Sequence, residues 1–298
     1  MSFINVFVSS PCRIGIKNSH LLVETDDGQN MYPIRDIDAV LIEDRRSTLS
    51  AYALSELTAH GVAVYVCDEK HMPTCLALPI NRYCRPRSML DMQLAISKPL
   101  KKQLWQSIVK CKIEGQARTL RMTGTEGAEE LENMAKSVAS DDSNNVEATA
   151  AAFYFKQLLN GQGRRNNDVF YNTGINYGYS IVRGLIARSL AVYGFETSLG
   201  LHHCNTLNAF NLADDITEPY RPFVDIWVYT YAPESELTAS VKKQIFSLIN
   251  GEIIIGGARY TLSDSADVFV QSLKRSFADG KNLLQLPQFE EPVLHRYA

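Results

Sequence analysis

The sequence predicts an α+β protein of two domains, a mainly-β N-terminal segment over 1–81 and a larger all-α segment over 82–298. Three observations carry this. Apolar and polar residues alternate with period two in the first part; a period of 3.6 governs nearly everything that follows; and a polar stretch, Asn81 to Ser88, flanked by Pro79 and containing Pro86, separates the two patterns. A length of 298 residues with 45% hydrophobic content supports one large core or two ordinary ones.

In the first segment FINVFV, CRIGIK, LLVET, MYPI and AVLIE read as short strands, set apart by turn chemistry such as Ser9-Ser10-Pro11 and Asp26-Asp27-Gly28. An amphipathic helix from about Ser50 to His60 interrupts them. It carries Ala53, Leu54 and Leu57 on one side, Gly61 is placed to end it, and VAVYV follows as another strand. Beyond the boundary the spacing predicts helices over Met89 to Ile113, Asn145 to Leu159, Thr173 to Gly194, Asn205 to Glu218, Ser235 to Asn250 and Ser265 to Phe277. Several open on Ser, Asn or Asp as an N-cap.

The formal net charge of −3 argues against a generic basic nucleic-acid binder, but the charge is unevenly spread. From Arg82 to Arg121 ten basic residues stand against Asp91 and Glu114, a local balance of +8 that suits either a polyanion or a solvated helix face. The next twenty residues, Thr123 to Asp142, carry a balance of −5. Six cysteines without a CxxC pair indicate neither a disulfide framework nor a thiolate zinc site. No run approaches the ~18 apolar residues of a membrane span, and the opening MSFINVFVSS lacks the basic and apolar regions of a secretory signal. A cytoplasmic protein is expected.

Three segments combine ionisable groups with small or aromatic residues. In NNVEATAAAFY, Glu147 lies in a first helical turn with Ala151 and Tyr154 on its face, which admits close approach to the carboxylate; a Glu favoured by the helix dipole is the alternative. Gly200-Leu201-His202-His203 leads into a helix ending Asp215-Ile216-Thr217-Glu218-Pro219, where Pro219 is expected to bend the chain and hold Glu218 at a fixed helix end. One imidazole and two carboxylates form a hard, oxygen-rich site suited to Mg²⁺ or Mn²⁺ and to phosphoryl transfer, with two satisfied histidines before a helix as the alternative. Between these lies INYGYSIVRGLIAR, whose interior Gly178 and Gly184 point to close packing or ligand approach. Tyr177 and Arg183 are candidates for DNA contact, with core packing and a surface charge as alternatives.

Together these segments resemble the CRISPR adaptation integrases, the large subunit of the spacer-acquisition complex, in the form found in type II systems. The resemblance spans most of the chain: VEATAAAFYF, then INYGYSIVRGLIARSL, then the G-x-x-H turn Gly200 to His203, then Asp215 to Pro222 in the frame D-x-x-E-P-[FY]-R-P, with Asp225 shortly after. It implies Glu147, His203 and Glu218 as both metal ligands and catalytic residues, the G-x-x-H frame selecting His203 over His202, with Asp215 as an accessory acidic residue and Arg183 and Arg221 as phosphate contacts. It further implies Mg²⁺ or Mn²⁺ as cofactor, a β domain taking part in a homodimer, a small second adaptation subunit, double-stranded DNA as fragment and array, and in type II systems the effector nuclease and accessory proteins. The basic run would track the DNA backbone.

The implied reaction is transesterification, a DNA 3′-hydroxyl attacking a phosphodiester at the leader end of a CRISPR array in the prokaryotic cytoplasm. Competing readings are a nuclease acting on branched DNA with water as nucleophile, and a non-catalytic DNA-binding scaffold. A small-molecule metallohydrolase lacks support, since HExxH, GxxxxGK[ST] and GxSxG are all missing.

Overall fold

The computed structural model describes residues 4–79, 86–159, 169–231 and 236–296. The chain divides into two compact units, Met1–Cys84 and Arg85–Ala298.

The first unit contains two four-stranded sheets. One pairs β1 (Ile4–Val8), β5 (Ile37–Ile42) and β7 (Ala63–Cys67) in parallel, and closes with antiparallel β8 (Pro73–Ala77). The other is a meander of β2 (Arg13–Lys17), β3 (His20–Thr25) and β4 (Gly28–Pro33), to which the short β6 (Thr48–Leu49) adds in parallel. Ile14 and Leu21 from the meander pack in one apolar cluster with Val6, Val40 and Val64 of the parallel sheet and Leu57 of helix α1 (Ala51–Ala59). Every residue of β5 is buried, as a central parallel strand covered on both faces requires. The strand β8 escapes the alternation pattern because it begins at a proline, which an edge strand tolerates and a central one does not.

The second unit is helical: α2 (Pro86–Ala95), α3 (Lys98–Met122), α4 (Ala128–Ser137), α5 (Val146–Leu158), α6 (Val169–Val192), α7 (Asn211–Thr217), α8 (Arg221–Tyr231), α9 (Ala239–Phe246) and α10 (Leu262–Asp279). It departs from the sequence expectation in five places. The helix expected over Asn205 to Glu218 begins only at Asn211. The segment Met89 to Ile113 is two helices, because Ser97 caps α3 by accepting from the Leu100 amide at 3.3 Å and Pro99 occupies its first turn. The acidic stretch, read only as charge, forms α4 against α3. A hairpin of β9 (Glu252–Ile255) and β10 (Ala258–Thr261) interrupts the all-α pattern; its two-residue turn, Gly256-Gly257, takes φ of 61° and 82°, which glycine permits at both positions. Pro219 does not bend the chain away. It sits in the first turn of a one-turn 3₁₀ segment, Glu218–Tyr220, where its missing N–H costs nothing, and the path runs on helically into α8.

Helix α6 packs closely on α8: a Cβ added at Gly178 would lie 2.5 Å from Val224 Cγ1, so the small residue expected to permit close approach does so here. Among the described residues no helix is long and apolar enough to cross a membrane.

Candidate metal centre

Glu147 is fixed from its backbone. Asp141, Asp142 and Asn145 take left-handed conformations (φ 66°, 47° and 52°), turning the chain tightly before α5. The buried Asp142 carboxylate then accepts from the Val146 amide at 2.9 Å and the Glu147 amide at 3.0 Å. A carboxylate cap on the first free N–H groups stabilises the helix start by typically ~1 kcal/mol and leaves Glu147 in a defined first turn.

Glu218 is fixed by helix packing. Helix α3 meets the 218–222 corner where Gly115 faces Pro222, an added Cβ lying only 3.0 Å from Pro222 Cγ, and Thr119 Oγ1 donates to the Pro222 carbonyl at 3.2 Å. One turn before Gly115, that approach places the Lys112 ammonium 2.5 Å from Glu218 Oε2 and in an ion pair with Glu147 Oε1. Glu218 Oε1 pairs with Arg221 Nε at 3.0 Å. Burial pushes the Glu218 carboxyl up, but the Lys112 and Arg221 charges outweigh it and hold it below the usual glutamate value. Glu218 Oε2, though against Lys112, lacks an aligned hydrogen bond. Behind this pair the Arg221 guanidinium lies over Tyr179, 4.7 Å from the ring centroid, and the Tyr179 hydroxyl donates to Asp225 at 2.5 Å.

His203 is held by its loop. Asp215, fully buried on α7, accepts from the Leu201, His202 and His203 amides at 2.6, 3.1 and 3.1 Å and from His203 Nδ1 at 2.7 Å. Only glycine fits at position 200, where a Cβ would lie 2.2 Å from the His203 carbonyl oxygen. The Asp215 hydrogen bond raises the His203 imidazole above its ordinary value, and the Asp215, Glu218 and Asp214 charges add to that against the opposing effect of burial. With Nδ1 donating to a carboxylate, Nε2 is the nitrogen left to act as a ligand or base. His202 instead stacks flat on Trp105 at 4.4 Å.

This geometry can be set beside known proteins. A family model described as CRISPR associated protein Cas1 matches residues 6–245. The chain belongs to the Cas1 family. Over 302 aligned residues it is 36% identical to the CRISPR-associated endonuclease Cas1 of Neisseria meningitidis serogroup C (strain 8013), covering all of this chain and 99% of that one. Two solved structures share the Cas1 fold seen here. A casposase bound to integration product superposes with a TM-score of 0.75 at 19% identity, over 95% of this chain and 92% of that one. A chain of a Cas6-RT-Cas1–Cas2 complex superposes with a TM-score of 0.70 at 18% identity, over 95% of this chain and 36% of that one.

Within this Cas1-family chain the structure brings Glu147 and Glu218 together on one cation, Lys112, with His203 at the margin. Among the described residues no three His, Cys, Asp or Glu side chains converge at metal-ligand distance. The donor set nonetheless fits a hard divalent ion: two carboxylates already share a positive charge, one oxygen of the pair lacks a directional partner, and a carboxylate-oriented imidazole lies nearby.

Two candidates lie deeper than expected. Asp215 has both oxygens engaged by the 201–203 loop, where it positions His203. Tyr177 is fully buried in the helical core, where it has no access to DNA. Arg183 is drawn into the loop, its Nε 2.8 Å from Asp214 and its guanidinium over Phe210 at 4.8 Å. The basic run is no uniform stripe either. Arg82 and Arg85 lie outside the described residues; Lys101 donates to the Gly200 carbonyl at 3.2 Å, Lys102 pairs with Asp141 at 3.2 Å, and Arg121 pairs with Glu132 of α4. The acidic segment thus neutralises part of the basic one. Lys112, which the sequence reading treats as one more charge of the basic run, is the buried cation at the centre of this cluster. Its signal was its place in the apolar stripe Trp105, Ile108, Lys112, Gly115, Thr119, spaced by three and four.

Proposed function

We propose that this chain is the metal-dependent nuclease–integrase of a CRISPR spacer-acquisition complex of type II, with Glu147, His203 and Glu218 holding Mg²⁺ or Mn²⁺. The observation that carries the reading is the convergence of Glu147 and Glu218 on a single buried cation position next to an imidazole oriented by Asp215. The Neisseria relative is named an endonuclease and the casposase is bound to integration product, which supports both cleavage and joining as the chemistry of this fold. The Cas6-RT-Cas1–Cas2 complex supports a small Cas2-type subunit as partner, and a homodimer, double-stranded DNA and the type II effector nuclease with its accessory proteins complete the proposed assembly.

A divalent ion bound here supplies charge neutralisation for the phosphodiester and activation of the attacking hydroxyl. The chain does the rest. Asp215 holds the imidazole through Nδ1 and so leaves Nε2 as the nitrogen for a ligand, Lys112 and Arg221 keep Glu218 ionised, and Asp142 holds Glu147 in register. In the proposed reaction the 3′-hydroxyl of the captured fragment gives up its proton as its oxygen bonds to phosphorus, the existing P–O bond at the array breaks, and the departing 3′-oxygen takes up a proton, so that one ester is exchanged for another with no net proton change.

The test is a strand-transfer assay with the protein, its small partner, a duplex bearing free 3′-hydroxyls and a supercoiled array plasmid, in Mn²⁺, Mg²⁺ or EDTA. Metal-dependent joining that is lost in His203→Ala is expected. Cleavage without joining would favour the branched-DNA nuclease, and DNA binding with neither activity would favour the scaffold.

A further inference from the structure

Lys112 is a lysine where helix packing would place an apolar residue. It lies in the buried stripe of α3, its side chain is 7% exposed, and Gly115 and Thr119 press that stripe against Pro222. A buried ammonium is unfavourable unless paired, and its partners here are the two carboxylates assigned above as metal ligands, one from α5 and one from the 218–220 turn. An ordinary structural ion pair satisfies one carboxylate with aligned hydrogen bonds. This one is shared between two: Lys112 donates a hydrogen bond to Glu147 Oε1 and lies against Glu218 Oε2 without an aligned one, so the Glu218 half of the bridge is mainly a Coulombic contact that another cation can replace.

The charge balance gives the contact a direction. Glu147 and Glu218 bring two negative charges, Lys112 and Arg221 two positive ones, so the place is already neutral. A divalent ion entering beside Lys112 would leave an excess of two positive charges in a buried setting, whereas an ion taking the place of the ammonium restores the Glu147–Glu218 pair and frees Lys112 for an anionic group. A phosphodiester is the anion that the proposed reaction brings.

We infer that Lys112 is an internal surrogate cation: it bridges Glu147 and Glu218 while the divalent ion is absent, and the ion must displace it to bind. This rests on the metal-site reading above and adds a positioning residue to it. It holds the two carboxylates in register in the free protein and makes metal binding weak until DNA phosphate gives the ammonium a second partner.

The experiment measures Mn²⁺ affinity by electron paramagnetic resonance and Tm in EDTA and in Mn²⁺, on the full chain without DNA and then with a short duplex. In Lys112→Met the two carboxylates lose the cation that bridges them and only Glu218 keeps a partner, Arg221, so Tm in EDTA falls by on the order of 10 °C. Mn²⁺ restores it, and the Mn²⁺ affinity rises at least about tenfold over wild type because the competitor is gone. Duplex DNA raises Mn²⁺ affinity in wild type and much less in the variant. Should Lys112→Met not fold, Lys112→Gln, neutral and still able to hydrogen-bond, is read in the same way. Wild type that binds Mn²⁺ at a site lost in Glu147→Gln, together with a variant of equal or weaker affinity, overturns the inference while leaving the metal centre standing. Wild type that binds no Mn²⁺ with or without DNA overturns both.

Discussion

Among the described residues, the β-rich unit fills its interior with apolar side chains such as Leu21, Val40, Leu57 and Val64 and buries only Asp38 and Glu43 as charged residues, whereas the helical unit buries Lys112, Asp142, Arg188, Asp215, Glu218, Asp225 and Lys242. An apolar core gains roughly 25 cal/mol for each Å² withdrawn from water and requires no specific partner. A buried charge loses several kcal/mol of hydration and is tolerated only where the fold provides a counter-charge. The helical unit therefore spends packing precision on arranging charges, and two of them, Lys112 and Glu218, meet the half-buried Glu147 and Arg221 at one place. Substitutions in the two units should differ in kind as well as in size.

The largest effect is expected at Glu218. In Glu218→Gln the loss of one carboxylate charge should reduce strand joining by about 10³-fold or more, by analogy with the removal of a principal electrostatic stabiliser, in the plasmid assay. In Glu218→Ala, Arg221 loses its carboxylate and the buried Lys112 keeps only Glu147, and a stability loss of up to about 3–5 kcal/mol should appear in urea unfolding. Were Glu218→Ala to retain full stability, the contrast between the units would collapse. Next comes Leu57→Ala, a fully buried side chain of the β unit, which should cost about 2–5 kcal/mol in the same unfolding experiment. Its Mn²⁺ affinity should match wild type; a changed affinity would mean that the charge site depends on the apolar core of the other unit.

How much of this was readable in advance follows the same division. Strands such as β5 and β7 and the helix α1 were legible because alternation and an amphipathic stripe record which face is buried. Glu147, His203 and Glu218 stand out as candidates because each lies in a local frame that departs from ordinary helix composition, and the structure brings Glu147 and Glu218 together on Lys112. Lys112 was not, because a lysine among lysines looks solvated until the partner helix and Pro222 are in place. The surroundings of Asp215 were hidden for a related reason: the sequence shows an acidic residue near Glu218 but not that three amides of the 201–203 loop fold onto it. The hairpin β9–β10 was missed within a helical stretch, although Gly256-Gly257 after Ile253-Ile254-Ile255 was the available signal.

Asp215→Asn sharpens the comparison within the helical unit. The amide keeps the shape but removes the charge that orients and raises His203, so joining should fall by about 10–100-fold, as for other partners that orient a ligand. In EDTA the His203 imidazole, followed by NMR, should titrate closer to its ordinary value than in wild type. An unshifted titration would show that the hydrogen bond to Asp215 does not govern the histidine.

The smallest effect belongs to Asp225, which lies behind the site. Burial pushes its carboxyl up to about 6, against the opposing pull of the Tyr179 hydroxyl and the Arg221 charge. A carboxyl whose folded value lies above its unfolded one favours the fold in its protonated form. That contribution is complete below about 3.8 and is lost as pH rises through about 6. Asparagine at this position can accept the Tyr179 hydrogen bond at every pH and does not titrate. The Tm of wild type should therefore fall relative to that of Asp225→Asn, by a few degrees, as pH is raised from 5 to about 7.5. A constant difference across that range would place the Asp225 carboxyl in the ordinary acidic range, and burial in the helical unit would then be compensated at this residue as fully as it is at Glu218.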